Sequence, residues 1–549
     1  MRKYVLAAAG LLMTFSLAAQ MEAPENWWNL DRQADNFPGV SANQVHDFLQ
    51  GKQAQKVVVA VIDSGIDIEH EDLADIIWTN SDEIPGNNID DDNNGYIDDI
   101  NGWNFIGGPG GTHINQENLE ITRIYTRLSQ KYANRNPQGL PKDELAEYRM
   151  MEELGREIEE ERAAAEPQLA QLEGLMTALQ AAVDAMNKPV EDITAEDVQA
   201  FKSDDAMTTR ILGFAQRVMA EEGMSMADLV HELEGGVEQL SGTVNYYYNT
   251  EYDARHIVGD DPSNLSDRNY GNNSVEGPES SHGTHVAGII AAVRNNGIGV
   301  DGVAGNGNIE IMVIRAVPDG DERDKDVANA IRYAVDNGAS VINMSFGKSH
   351  SPYKEAVDEA IRYAEKNDVL LVHAAGNDGK ELTTTNNYPN DTYLRPGFLR
   401  PRTNRTYITV GASSANYDEQ FPARFSNYHS EMVDVFAPGH RIYSTFPDDE
   451  YNAISGTSMA APMVAGIAGL LRSYFPDLTA RQVREIIIES ALPVSLEVRT
   501  PGTESDMIPF SQLSASGGIA NAYSAVMLAQ RTKGKKRRTA DRDPSLVGY

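Results

Sequence analysis

The chain has 549 residues, 82 Asp and Glu against 46 Lys and Arg, a formal net charge of -36 and no cysteine. That charge repels phosphate backbones and argues against nucleic acid as a partner, while the missing cysteines exclude disulfides and a thiol nucleophile. The length exceeds what one core usually organises, so one domain of roughly 250 residues or more plus a second part is expected.

In chain order, residues 1–20 carry Arg2 and Lys3, an apolar stretch from Tyr4 to Leu17, then Ala18 and Ala19. This is the layout of a secretory signal peptide cleaved near Ala19 or Gln20. A retained anchor is the alternative, disfavoured by the short apolar run. No later run is long and apolar enough to span a bilayer, so no transmembrane anchor is expected in the mature chain. An exported chain without disulfides must draw stability from core size or bound cations, which points to calcium. Val57 to Ile62 is a continuous, mostly β-branched run of the kind found in buried parallel sheets, with Asp63 at its C-terminal end. Similar runs follow at Ile309 to Ala316, Ser340 to Met344, Val369 to Ala374 and Tyr407 to Val410, with amphipathic helical segments at Val327 to Asn337 and Ala356 to Lys366. The alternation predicts an α/β fold with a doubly wound, mostly parallel sheet flanked by helices.

Residues 112–252 follow a different pattern. Leu145, Tyr148, Met151, Leu154 and Ile158, then Leu169, Leu172, Met176, Leu179, Val183 and Met186, recur at three- and four-residue steps, with Pro167 expected to break the first set from the second. This predicts an inserted α-helical hairpin or bundle that divides the main domain into 21–111 and 253–530. The insertion carries no catalytic constellation and reads as an element that docks a partner, gates a cleft or assists folding. Residues 531–549 include the basic run Lys533 to Arg538 and read as a disordered tail.

Ser458 stands in Gly456-Thr457-Ser458-Met459-Ala460-Ala461-Pro462, ahead of the apolar helical run Met463 to Leu471. A serine at a helix start has free amides and the positive end of the helix dipole beside it, although a serine in such a turn is ordinarily an N-cap. Ser281-His282-Gly283-Thr284-His285 opens another small-residue helix. Nucleophilic serine needs an imidazole to take its proton and a carboxylate to orient the imidazole; His282 and Asp63 supply both. A metal pair from His282 and His285 is disfavoured, because zinc hydrolases place a glutamate between histidines four apart; His285 reads as structural. At the end of the Val369 run, Ala374-Ala375-Gly376-Asn377 offers an amide donor for an oxyanion.

The segments VAVIDSGID around Asp63, SHGTHVAGIIAA around His282, AAGN ending at Asn377 and SGTSMAAPMVAGIAGLL around Ser458 closely resemble the signature blocks of the subtilisin-like serine proteases, in the same order. The resemblance covers roughly residues 57–106 and 269–492. It implies Asp63, His282 and Ser458 as catalytic triad and Asn377 as oxyanion donor. It further implies Ser345, Phe346 and Gly347 with Ala374, Ala375 and Gly376 as the substrate-binding pocket, the first three pairing with extended polypeptide as an added strand. It also implies a calcium site from Asp72 with Asn296, Ile298 and Val300. Independently of the family, Asp90, Asp92, Asn94, Gly95, Tyr96 and Asp98 alternate as in an EF-hand-like loop, with Asn101 in place of the usual glutamate. The function expected is a secreted or periplasmic serine endopeptidase acting through an acyl-enzyme, with calcium as structural ion and no organic cofactor. The alternative is a binding or adhesion protein on a latent protease scaffold. An esterase would require a G-x-S-x-G elbow, which Ala460 breaks. The run from 21 to 56 is shorter than the inhibitory pro-domain usual in the family, which leaves activation open.

Overall fold

The computed structural model describes residues 23–222, 225–393 and 402–535; the expected signal peptide, 1–20, and residues 536–549 of the expected tail lie outside the described residues. The chain enters through helix α1 (Ala42–Leu49) and strand β1 (Val57–Asp63). The sheet is completed by β2 (Gly102–Asn104), β3 (Ile309–Arg315), β4 (Val341–Met344), β5 (Leu370–Ala374), β6 (Tyr407–Ser413), β7 (Val435–Pro438), β8 (Leu492–Pro493) and β9 (Gly518–Ile519). Their order is β8-β9-β7-β6-β5-β4-β1-β3-β2. Every pairing is parallel except β8 with β9. The strand sequences are apolar without alternation because both faces of the sheet are covered. The chain passes from β3 on one side of β1 to β4 on the other, so the C-terminal end of β1 is a topological switch point, the usual place for a crevice in an open α/β sheet. Asp63 is the last residue of that strand.

Between β2 and β3 stands the insertion: α2 (Glu120–Tyr132), α3 (Lys142–Met186), α4 (Ala195–Ala200), α5 (Ala206–Glu222) and α6 (Met226–Gly242). It has two small cores of its own. Ile121, Ile124 and Leu128 of α2 pack on Leu154 and Ile158, while Leu179, Ala182 and Val183 pack on Ile211, Leu212, Ala215 and Leu229. The break expected at Pro167 is absent: α3 is one helix of 45 residues with Pro167 inside it. A proline in a helix interior loses one amide-to-carbonyl bond and crowds the carbonyl four residues back, at about 3 kcal/mol. Here the preceding residues, Ala163 to Ala165, are small and helix-favouring, and each half of the helix is held by a different core.

After β3 the helices return to the sheet. One face carries α7 (Ser281–Ala291) and α10 (Thr457–Tyr474), together with α1, Trp27 and Trp28. The other carries α8 (Asp324–Asp336) and α9 (Lys354–Lys366). The start of the basic segment expected to be disordered is instead docked: Gln482 Nε2 donates to Lys533 O at 2.9 Å and Lys535 N donates back to Gln482 Oε1 at 2.9 Å. No helix among the described residues is long and apolar enough to cross a membrane.

Candidate active site

The switch point gathers three element ends: the C-terminus of β1 and the first turns of α7 and α10. Close approach of α7 to β1 depends on Gly283, where an added Cβ would lie 2.0 Å from Gly65 O and 3.2 Å from Asp63 Cβ. With no side chain there, His282 Nδ1 comes to 2.7 Å from Asp63 Oδ1. The same carboxylate oxygen accepts from Ser64 N at 2.8 Å, and Asp63 Oδ2 is buried without a hydrogen-bond partner. A proton on Nδ1 therefore points at a fixed carboxylate, leaving Nε2 as the basic nitrogen. Burial works against the protonated imidazole, but the Asp63 charge and hydrogen bond outweigh it, holding His282 above its ordinary value of 6.5. The imidazole keeps 37% of its side-chain surface open, whereas Asp63 keeps 2%. His285, one turn on, is fully buried and bonds through Nε2 to Ile442 O and Asn452 O; burial lowers it to about 3, as suits a neutral structural histidine.

Ser458 is the second residue of α10. Pro462, four residues on, has no amide to give to Ser458 O, and that carbonyl instead accepts from Ser345 Oγ at 2.8 Å. In return Ser458 Oγ donates to Ser345 O at 3.0 Å. The hydroxyl is thus bonded to the loop after β4, and no hydrogen bond joins it to His282 among the described residues. Asn377 follows β5. Its Oδ1 accepts from Thr457 N at 2.8 Å and from Thr457 Oγ1 at 2.9 Å, while Thr457 Oγ1 accepts from Gly376 N at 3.0 Å. Fixing the amide oxygen in this way turns Nδ2 to the opposite side. A Cβ on Gly456 would lie 3.5 Å from Asn377 Nδ2 and 3.6 Å from Ser458 N, so these two donors border one small space. Thr457 is the positioning residue that sequence reasoning passed over; its place directly before Ser458 was the available signal.

The residues that the resemblance implies as a substrate pocket stand at the C-terminal ends of β4 and β5. Ser345, Phe346 and Gly347 continue from β4, with Phe346 O accepting from His373 Nε2 at 2.7 Å. Burial lowers His373 to about 4, so that ring is a neutral donor. Ala374 is the last residue of β5, and Ala375 and Gly376 follow it; Ala375 O accepts from Asn387 Nδ2 and Asn427 Nδ2, each at 3.0 Å.

Two regions have oxygen donors that suit calcium. Asp72, fully buried, accepts from Asn296 Nδ2 at 2.6 Å and from Val300 N at 3.1 Å, and burial raises its carboxyl. The carbonyls of Ile298 and Val300 accept no hydrogen bond among the described residues. The second region is the loop ahead of β2. There Asp90 and Asp92 approach Glu83, one oxygen from each lying within 4.8 Å of the others. Glu83 precedes the alternating run and gave no signal in sequence. Asp98 is turned elsewhere, accepting from Asn87 N and Asn88 N at 3.2 and 2.8 Å. Asn94 Oδ1 accepts from Tyr96 N, and the Tyr96 ring is buried against Trp103 and Tyr333. Of the sequence-predicted set, Asp90 and Asp92 converge with Glu83 and Asp98 does not; Asp90 also accepts from Asn94 N and Gly95 N, and Glu83 from Asp91 N, Asp92 N and Asp98 N.

The sequence profile of the Subtilase family matches residues 54–521. Thermitase of Thermoactinomyces vulgaris is 38% identical over 41% of this chain and 72% of its own length. The major intracellular serine protease of Bacillus subtilis is 35% identical over 42% of this chain and 69% of its own length. A thermophilic serine proteinase of Bacillus sp. strain AK1 is 41% identical over 35% of this chain, a match spanning 43% of that enzyme. The profile match extends over most of the sequence and brackets the convergence of β1, α7 and α10, so the chain belongs to the subtilase family, the serine-type endopeptidases.

Proposed function

We propose that the protein is an exported endopeptidase that hydrolyses extended polypeptide through an acyl-enzyme. In this reading His282 Nε2 takes the Ser458 proton as Oγ attacks the scissile carbonyl, and the resulting imidazolium is stabilised by Asp63. The developing oxyanion lies between Ser458 N and Asn377 Nδ2, donors already fixed before substrate arrives. His282 then protonates the leaving amine, and water activated by the same imidazole releases the acyl group. The carrying observation is the 2.7 Å contact between His282 Nδ1 and the buried Asp63 carboxylate, since a non-catalytic scaffold has no physical need for that charge. The test is labelling by a serine-directed fluorophosphonate and cleavage of casein, beside Ser458→Ala. Both signals vanish together in the variant if the assignment is right; labelling that survives in Ser458→Ala rules it out.

Calcium fits the donor chemistry at Asp72, Asn296 and the Ile298 and Val300 carbonyls, and at Glu83, Asp90 and Asp92. Bound there, it would neutralise buried carboxylates and rigidify loops beside α7 and β2 without entering the reaction. Export, to the medium or the periplasm, rests on the composition of residues 1–20 and is tested by sequencing the N-terminus of the secreted protein.

A further inference from the structure

The loop after β4 presents only three residues to an added strand, and two of their carbonyls also accept a side chain of the protein, Ser345 O from Ser458 Oγ and Phe346 O from His373 Nε2. Ser345 lies against the nucleophile, and Phe346 and Gly347 follow. At Lys348 the chain enters a two-bond bridge: Lys348 N donates to Tyr388 O at 3.0 Å and Tyr388 N donates to Lys348 O at 2.9 Å. From Ser345 to Lys348 an extended chain advances about 10 Å, the length of three strand residues. The Lys348 side chain, in a residue only 5% exposed, then crosses to the segment after β3. Its Nζ donates to Glu322 O at 2.7 Å and to Glu120 Oε2 at 3.0 Å, and lies 2.9 Å from Asp324 Oδ1.

The facing segment is closed as well, and the insertion closes it. Arg123 of α2 donates to Asp321 O at 3.0 Å and to Glu322 O at 3.4 Å while pairing with Glu120 at 2.6 Å. Glu120 N donates to Asp321 Oδ2 at 2.7 Å, and Glu117 pairs with Arg323 at 2.8 Å. The space left beside Glu322, Asp324, Lys348 and Tyr388 is about 10 Å³, room for one water. Both ledges that could hold an extended peptide therefore end at the same buried ion cluster.

We propose that Lys348, joined to Glu120 and Arg123 of the insertion, ends the substrate channel three residues before the scissile bond and so sets the length of acyl-side peptide the enzyme reads. A fourth residue meets a closed wall and turns into solvent. Accepted substrates are then defined by three residues, and the insertion acts as part of the cleft.

The proposal rests on the protease reading, and one experiment separates the two. Acetylated peptide p-nitroanilides with one to five residues before the scissile bond, their terminal residue chosen from the casein digest, are assayed beside fluorophosphonate labelling. Expected is a kcat/KM that rises up to three residues and changes by less than about twofold beyond. A rise of about tenfold or more at the fourth residue, with Ser458 labelled normally, overturns the channel end alone. Absence of Ser458-dependent labelling overturns the protease reading and this inference with it. Lys348→Ala combined with Glu120→Ala removes both ends of the pair, at the cost of taking Lys348 from Asp324 and Glu120 from Arg123; if its circular dichroism matches wild type, a fourth-residue gain is expected. A folded double variant that keeps the wild-type plateau contradicts the role given to Lys348, and the wild-type series decides the case should the variant fail to fold.

Discussion

Helices α10 and α3 are held in opposite ways. Of the 18 residues of α10, sixteen are buried, packed on one face of the sheet; of the 45 residues of α3, seven are buried, five of them in two separate apolar clusters. A helix enclosed on all sides fixes the position of its first turn tightly, and that is where Ser458 stands. A helix with one thin apolar stripe is stabilised locally and can lose one patch without disturbing the other. The proposed nucleophile thus stands on the over-determined element. The insertion reaches the loop after β3 at its base, where Glu117, Glu120 and Arg123 are buried.

This contrast can be broken or sharpened by experiment. The largest effect is expected in the core from Asp63→Asn, which removes the charge but little volume: kcat should fall by about 10⁴-fold. The pH profile carries the sign. The base must be neutral, and His282 is held above 6.5, so wild-type kcat/KM should fall as pH drops through a value above 6.5; in the variant that limb moves to lower pH. Next, Asn377→Ala should lower kcat by about 10²- to 10³-fold with a smaller change in KM, as expected of a donor used in the transition state. In the insertion, Leu179→Ala should destabilise the distal bundle by about 2–5 kcal/mol. Hydrogen exchange across α3 to α6 should then accelerate while hydrolysis of short peptides stays at the wild-type level; a parallel loss of activity would show that the two regions are mechanically one. The smallest effect is that of calcium removal: EDTA should lower Tm by roughly 5 °C, restored by added calcium. An unchanged Tm would remove calcium from both loops.

Elements whose formation depends on near neighbours were legible in the sequence. The run Val57 to Ile62 gave β1 and put Asp63 at its end, and the small residues after His282 and around Ser458 marked two helix starts that can approach backbone closely. The first misreading was local as well: Pro167 carries a real penalty, but two apolar cores on either side of it outweigh that penalty. The second was the segment from Lys533, whose first residues are held by Gln482, a partner 51 positions away.

By itself the sequence determined the alternation of buried strands and helices, the presence of a helical insertion and the candidate residues Asp63, His282, Asn377 and Ser458, because periodicity and side-chain type are properties of short stretches. Tertiary structure alone decided which charges meet. Lys348 and Glu120 are 228 positions apart, Glu83 joins Asp90 and Asp92 although it precedes the motif, and Asp98 caps a turn. An ion pair depends on where two chain segments are brought together, and no local pattern in either segment encodes that distance.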